Sequence, residues 1–158
     1  MRASHLATLG LFALIGGCAH QPETAEAPGM AWSLHATREE GVKLAYGQPN
    51  TDNVVVMMAC QPQSKQVRLS AHAPAGASPE VTLASRGERQ TLTGQLGPSG
   101  FGDSQLVEVD VPSGSKALAG FANGGELSIQ TADQATRVMA DRKARAAVAT
   151  FFATCSAA

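Results

Sequence analysis

The chain has 158 residues, of which 44% are hydrophobic and 16% charged, enough for one domain of ordinary size with a real core. Its 12 Lys and Arg side chains against 13 Asp and Glu leave a formal net charge of −1. That balance argues against a nucleic-acid partner, because phosphate binding depends on a clustered basic surface. Aromatic residues make up only 4%, so the core must be built from Val, Leu, Met and Ala.

The first informative segment is the amino terminus. Arg2 supplies a positive charge, and residues 6–15 form an apolar run too short to span a bilayer. The run ends Leu14-Ile15-Gly16-Gly17-Cys18, which resembles the lipobox of bacterial lipoproteins. The resemblance implies acylation of Cys18, with palmitate as a typical chain, and removal of residues 1–17 as a signal peptide. An ordinary signal peptide that happens to contain Cys18 is the alternative. Arg2 is the only charged residue removed, so the mature chain would carry 11 basic against 13 acidic groups. Ala19 is not the aspartate of the best-known inner-membrane retention rule, so the expected location is the periplasmic side of the outer membrane. Residues 18–30 are polar, contain Pro22 and Pro28, and show no apolar period. They read as the lipidated cysteine and its tether, spanning at most roughly 40 Å when extended. A single domain is expected over residues 31–158.

With Cys18 assigned to lipid, Cys60 and Cys155 remain. Two thiols in an exported chain are expected to pair, since the periplasm is oxidising, and their separation excludes a Cys-x-x-Cys redox motif. Two free buried thiols are the alternative.

Beyond the tether, period-two alternation dominates. Trp32, Leu34 and Ala36 point one way and Ser33 and His35 the other, and Val42, Leu44 and Tyr46 repeat the pattern. Gly47-Gln48-Pro49-Asn50 makes a turn. Residues 54–60 are continuously apolar, which predicts a central strand covered on both faces. After a turn at 61–64, Val67, Leu69 and Ala71 mark a strand, and residues 74–79 form a loop of small residues. Val81 and Leu83 give another strand, a weaker one surrounds Leu92, and residues 94–100 look loose and glycine-rich. The clearest strand is 105–111, where Val107, Val109 and Val111 alternate with Glu108 and Asp110. Residues 116–122 predict a short helix, with Ser115 as its N-cap and Asn123-Gly124 as its stop. Strand returns at 126–130, and Asp133-Gln134 turns the chain toward Val138. Residues 141–155 predict the longest helix, capped by Asp141 and carrying Ala144, Val148, Phe151, Phe152 and Cys155 on one stripe. Arg142, Lys143 and Arg145, the one basic cluster, fall off that stripe. Short strands at spacings near ten residues predict a mainly β (α+β) protein. The expected fold is an antiparallel β-sandwich or barrel with a short helix and a C-terminal amphipathic helix.

Few residues suggest chemistry. Ser113-Gly114-Ser115-Lys116 matches the Ser-x-x-Lys of penicillin-recognising enzymes, in which the lysine assists proton removal from the serine. Thr51-Asp52-Asn53 resembles their Ser-Asp-Asn but precedes the serine instead of following it, and Lys-Thr-Gly is absent from the sequence. Ser113 or Ser115 capping a helix is the simpler account. Gly97-Pro98-Ser99-Gly100 is a turn sequence and not a nucleophile elbow. His20, His35 and His72 have no second ligand at metal spacing, and Glu108 and Asp110 read as the solvent side of a strand. No catalytic residue, metal or cofactor is expected. Arg68, Ser70 and His72 project from one strand face and combine a cation, a hydroxyl and an imidazole. They are the candidate recognition surface, with ordinary solvent exposure as the simpler account.

The short helix with Leu118 and Phe121, the Gly124-Gly125 break, the strand at 126–130 and the ending Phe151-Phe152-Ala153-Thr154-Cys155 together resemble small exported β-proteins of the invasion-associated locus B type. The likeness covers the last third of the chain. It implies a disulfide-stapled β-sandwich without known catalysis and transfers no functional residue. The expected function is a non-catalytic lipoprotein of the cell envelope, anchored to the membrane by lipid and binding an envelope protein or a cell-wall component. The alternatives are a lysozyme-inhibitor type of lipoprotein and an envelope hydrolase using Ser113 and Lys116.

Overall fold

The alternating segments fold as strands in the computed structural model, which describes residues 23–24, 29–100, 102 and 104–156. Cys18 and the leader lie outside the described residues. In chain order the first half holds β1 (Glu23–Thr24), β2 (Ala31–Thr37), β3 (Gly41–Gly47), β4 (Val54–Cys60), β5 (Gln66–Ala73) and β6 (Glu80–Ser85). The second half holds β7 (Glu88–Thr93), β8 (Gln95–Pro98), β9 (Gln105–Pro112), α1 (Lys116–Gly124), β10 (Glu126–Thr131), β11 (Gln134–Met139) and α2 (Ala144–Ser156). One sheet has the order β2-β3-β4-β5-β9-β8 and the other β1-β11-β10-β6-β7. Neighbours are antiparallel except for the two-residue β1, which runs parallel to β11. The protein is thus mainly β and sandwich-like, with a C-terminal helix.

Register follows the apolar pattern. Leu34, Leu44, Met58, Leu69 and Val109 sit opposite one another in a row across five strands. A slip of one residue in any of these strands would turn its part of the row to solvent. The facing sheet contributes Val81, Leu83, Leu127, Ile129 and Val138, all buried. The two helices wedge between the sheets. α1 packs on β6, β7 and β10, α2 on β2, β3 and β5, and the helices touch each other. Phe121, Phe151 and Phe152 meet edge to face where they join.

Asp141 caps α2 as expected: its Oδ1 accepts the Ala144 N–H at 2.8 Å. The far end of α2 is closed by the turn after β4. The Gln63 and Lys65 N–H groups donate to the carbonyls of Thr154 and Cys155 at 2.9 and 3.0 Å, satisfying acceptors that a helix end leaves open. The Cys60–Cys155 disulfide fastens the same end, with Cα atoms 5.8 Å apart across 95 positions of sequence.

Several expectations need correction. Residues 95–98, read as loose, form β8 on β9. Gly97 and Pro98 are tolerated there because β8 is an edge strand with one side free of ladder bonds. β4 is central, but only Val56, Met58 and Cys60 are buried. Val55, Met57 and Ala59 are half-buried, because both helices lie on the other side of the sheet. Ser115 occupies the N-cap position of α1 without a side-chain cap bond. Its hydroxyl is buried and lacks a partner among the described residues. α1 stops at Gly125, not at Asn123-Gly124. Gly125 has φ 73° and donates its N–H to the Phe121 carbonyl, and a Cβ there would lie 2.9 Å from the Ala140 carbonyl oxygen. The last hairpin turns at Ala132-Asp133, with Ala132 at φ 49°.

Candidate interaction surfaces

Arg68, Ser70 and His72 do share one face of β5, and it is the face turned away from both helices. Cross-strand pairing gives each a partner. Arg68 faces Asp110 in the register and donates two hydrogen bonds to its carboxylate, Nε to Oδ1 at 3.0 Å and Nη2 to Oδ2 at 3.2 Å. Ser70 faces Glu108 and donates to its Oε1 at 2.9 Å. His72 Nε2 donates to the Val54 carbonyl at 3.0 Å. The bond to Asp110, and then its charge, raise the Arg68 pKa further above its ordinary value. Both members of this pair are more than half exposed, at 59% and 57%, so water screens the attraction and its contribution is about 0–1 kcal/mol. Glu108 and Asp110 therefore serve as hydrogen-bond acceptors for the neighbouring strand.

Two rows describe this open face. One runs Lys43, Ala59, Arg68, Asp110, and the next runs Ala45, Met57, Ser70, Glu108, Gln95. A charged band on β5 and β9 thus borders a band of half-buried Ala and Met on β3 and β4. The continuous apolar sequence of β4 has placed small and flexible side chains on a surface that neither helix among the described residues covers.

A second surface was not legible in the sequence. Trp32 begins the edge strand β2, and its indole Nε1 donates to the Met139 carbonyl of β11 at 2.8 Å, joining the two sheets across 107 positions. Its ring stacks at tilted angles on Tyr46 and Phe121, with centroids 5.2 and 5.3 Å away. Trp32 and Tyr46 line a cleft of about 480 Å³ that opens between β2, the end of β11 and the start of α2. Met30 and Met139 flank it, and Asp141 and Lys143 stand at its rim. Met139 is 44% exposed, the one large hydrophobic side chain exposed among the described residues. A lone tryptophan beside Met30 was a faint signal. What completes the cleft comes from the far end of the chain.

The Ser-x-x-Lys residues are engaged elsewhere. Ser113 is buried and its hydroxyl accepts a bond from Ser156 Oγ at 2.9 Å. Lys116 is 82% exposed, with its Nζ 3.7 Å from Glu88 Oε2. Thr51 and Asn53 bond within an exposed turn. Among the described residues no three His, Cys, Asp or Glu side chains gather as metal ligands, and no helix is long and apolar enough to cross a membrane. No protein-family model matches the chain, and no curated protein or solved structure matches it significantly.

Proposed function

We propose that this protein is an exported lipoprotein, anchored through Cys18 to the periplasmic side of the outer membrane, whose sandwich is a non-catalytic binding or structural module. The observation that carries the reading is the Cys60–Cys155 bridge, with Cys60 and Cys155 only 6% and 0% exposed. Such a bond persists in an oxidising compartment, and the leader ending at Cys18 supplies a route there. The binding half of the proposal draws on the open face of the six-stranded sheet, where Arg68, Asp110 and Glu108 border Met57 and Ala45, with Ser70, only 5% exposed, bonded to Glu108. Polar groups held in fixed register beside a shallow apolar band suit a partner made of protein or cell-wall material, because such partners need positioned hydrogen bonds around an apolar centre. The engagement of Ser113 by Ser156 gives no support to a hydrolase.

The test is photo-crosslinking in intact cells from a reactive residue placed at Met57, with Thr91 on the exposed face of the other sheet as control. The proposal expects a reproducible envelope adduct from position 57 and not from 91. Equal adducts from both positions, or none from either, would remove the sheet face as a binding surface.

A further inference from the structure

We infer that the Trp32 cleft is a membrane-contact face, seated on the anionic phospholipid surface of the bilayer that holds the Cys18 acyl chains. The inference rests on the lipoprotein reading for the anchor, and on separate observations for the face.

The first observation is where the chain enters the domain. Met30 and Ala31 line the cleft itself, so the chain enters the β2 strand at this surface. β1 shortens the reach. Glu23 and Thr24 pair with Thr136 and Arg137 of β11, leaving four residues between Cys18 and Glu23. That segment spans at most about 18 Å from Cα to Cα even fully extended. Met139 lies three positions beyond Thr136, about 10 Å further along β11, so the reach from anchor to cleft is that span plus about 10 Å.

The second observation is the chemistry of the face. A half-buried tryptophan flanked by the flexible side chains of Met30 and Met139 matches the composition that settles at the boundary between headgroups and acyl chains. Met139 is exposed among the described residues, and insertion into lipid would cover it.

The third observation is charge. Arg142 and Lys143 are exposed just before α2, and neither has an ion-pair partner among the described residues. No acidic residue occupies the first turn of α2, where acidic groups would complement the helix dipole and cations oppose it. Asp141 is committed to its cap bond with Ala144. The mature chain as a whole is acidic, so it would be repelled by anionic lipid unless this one basic cluster led the approach. A cation cluster placed against the helix preference, beside an apolar cleft at the tether, fits headgroup phosphates.

The test uses the only tryptophan of the chain as its probe. Native protein extracted from membranes is reconstituted into phosphatidylethanolamine/phosphatidylglycerol vesicles whose acyl chains are brominated, and Trp32 emission is read. The Cys18→Ser protein is added to the same vesicles separately. The inference expects Trp32 quenching in the native protein, and weak, salt-sensitive vesicle binding by Cys18→Ser. Combining Arg142→Glu with Lys143→Glu should weaken that binding roughly tenfold or more. Met139→Asp should also weaken it while leaving the thermal midpoint near that of the parent. Native protein that floats with vesicles but keeps an unquenched Trp32 would overturn the membrane face and leave the anchor standing. Native protein that binds vesicles no more tightly than Cys18→Ser, both through the basic pair, would overturn the anchor and leave the face standing. Binding indifferent to both surface variants would overturn the face.

Discussion

Asp141 and Trp32 show how differently single residues announce themselves. The aspartate precedes a helical stripe, and its cap bond to Ala144 is local, so the sequence alone could place it. Asp141→Ala should lower stability by about 1 kcal/mol, measurable as a lower denaturant midpoint with an unchanged slope. Ser115 met the same sequence criterion, yet its hydroxyl makes no cap bond. Trp32 makes its bond to a residue more than a hundred positions away, and no local rule reaches that far. Trp32→Phe keeps the ring contacts and removes the indole donor. It should cost about 1 kcal/mol, read by chemical denaturation followed by circular dichroism. The Arg68–Asp110 pair was half legible: the shared face of β5 follows from alternation, but the partner strand does not. Being exposed, the pair should contribute little, and Asp110→Asn should shift stability by less than about 1 kcal/mol.

Among the elements, the strands with clean alternation stand where expected, at β2, β3, β5, β6, β9 and β10. Those that failed were ruled by their place in the sheets. β8 contains Gly97 and Pro98, and only its pairing with β9 makes it a strand. The crossing from β7 into β8 passes so close to β9 that a Cβ on Gly94 would collide with the Glu108 carbonyl oxygen and the Val109 side chain. Gly94→Ala should therefore destabilise the fold by about 1–3 kcal/mol, visible as a lower melting temperature. β4 misled for a related reason. A continuous apolar run suits a strand buried on both sides, but with both helices inside the sandwich its outer residues stay half-buried. The final helix was the best forecast, in stripe, cap and bridge alike. Its disulfide closes a loop of nearly a hundred residues, for which the chain-entropy model gives about 4–5 kcal/mol. Cys155→Ala should lose much of that stabilisation and also the anchor that holds α2 on β4, detected as a lowered denaturation midpoint.

At the scale of the whole molecule, the sandwich has two distinct exteriors. One is the open face of the six-stranded sheet, with its fixed rows of polar and small apolar groups. The other is the cleft where Met30, β2, β11 and α2 converge. Sequence order hid both, since each is assembled from strands distant in the chain, whereas the fold class and the bridge were readable from alternation and cysteine count. The account joins these parts through one claim: the mature protein is a disulfide-locked sandwich that begins at lipidated Cys18. Intact-mass spectrometry of protein extracted from membranes under non-reducing, alkylating conditions tests that claim most directly. The predicted species lacks residues 1–17, carries the added mass of its acyl chains, and takes up no alkyl group at Cys60 or Cys155. A mass that retains the leader, lacks lipid, or gains two alkyl groups would contradict it.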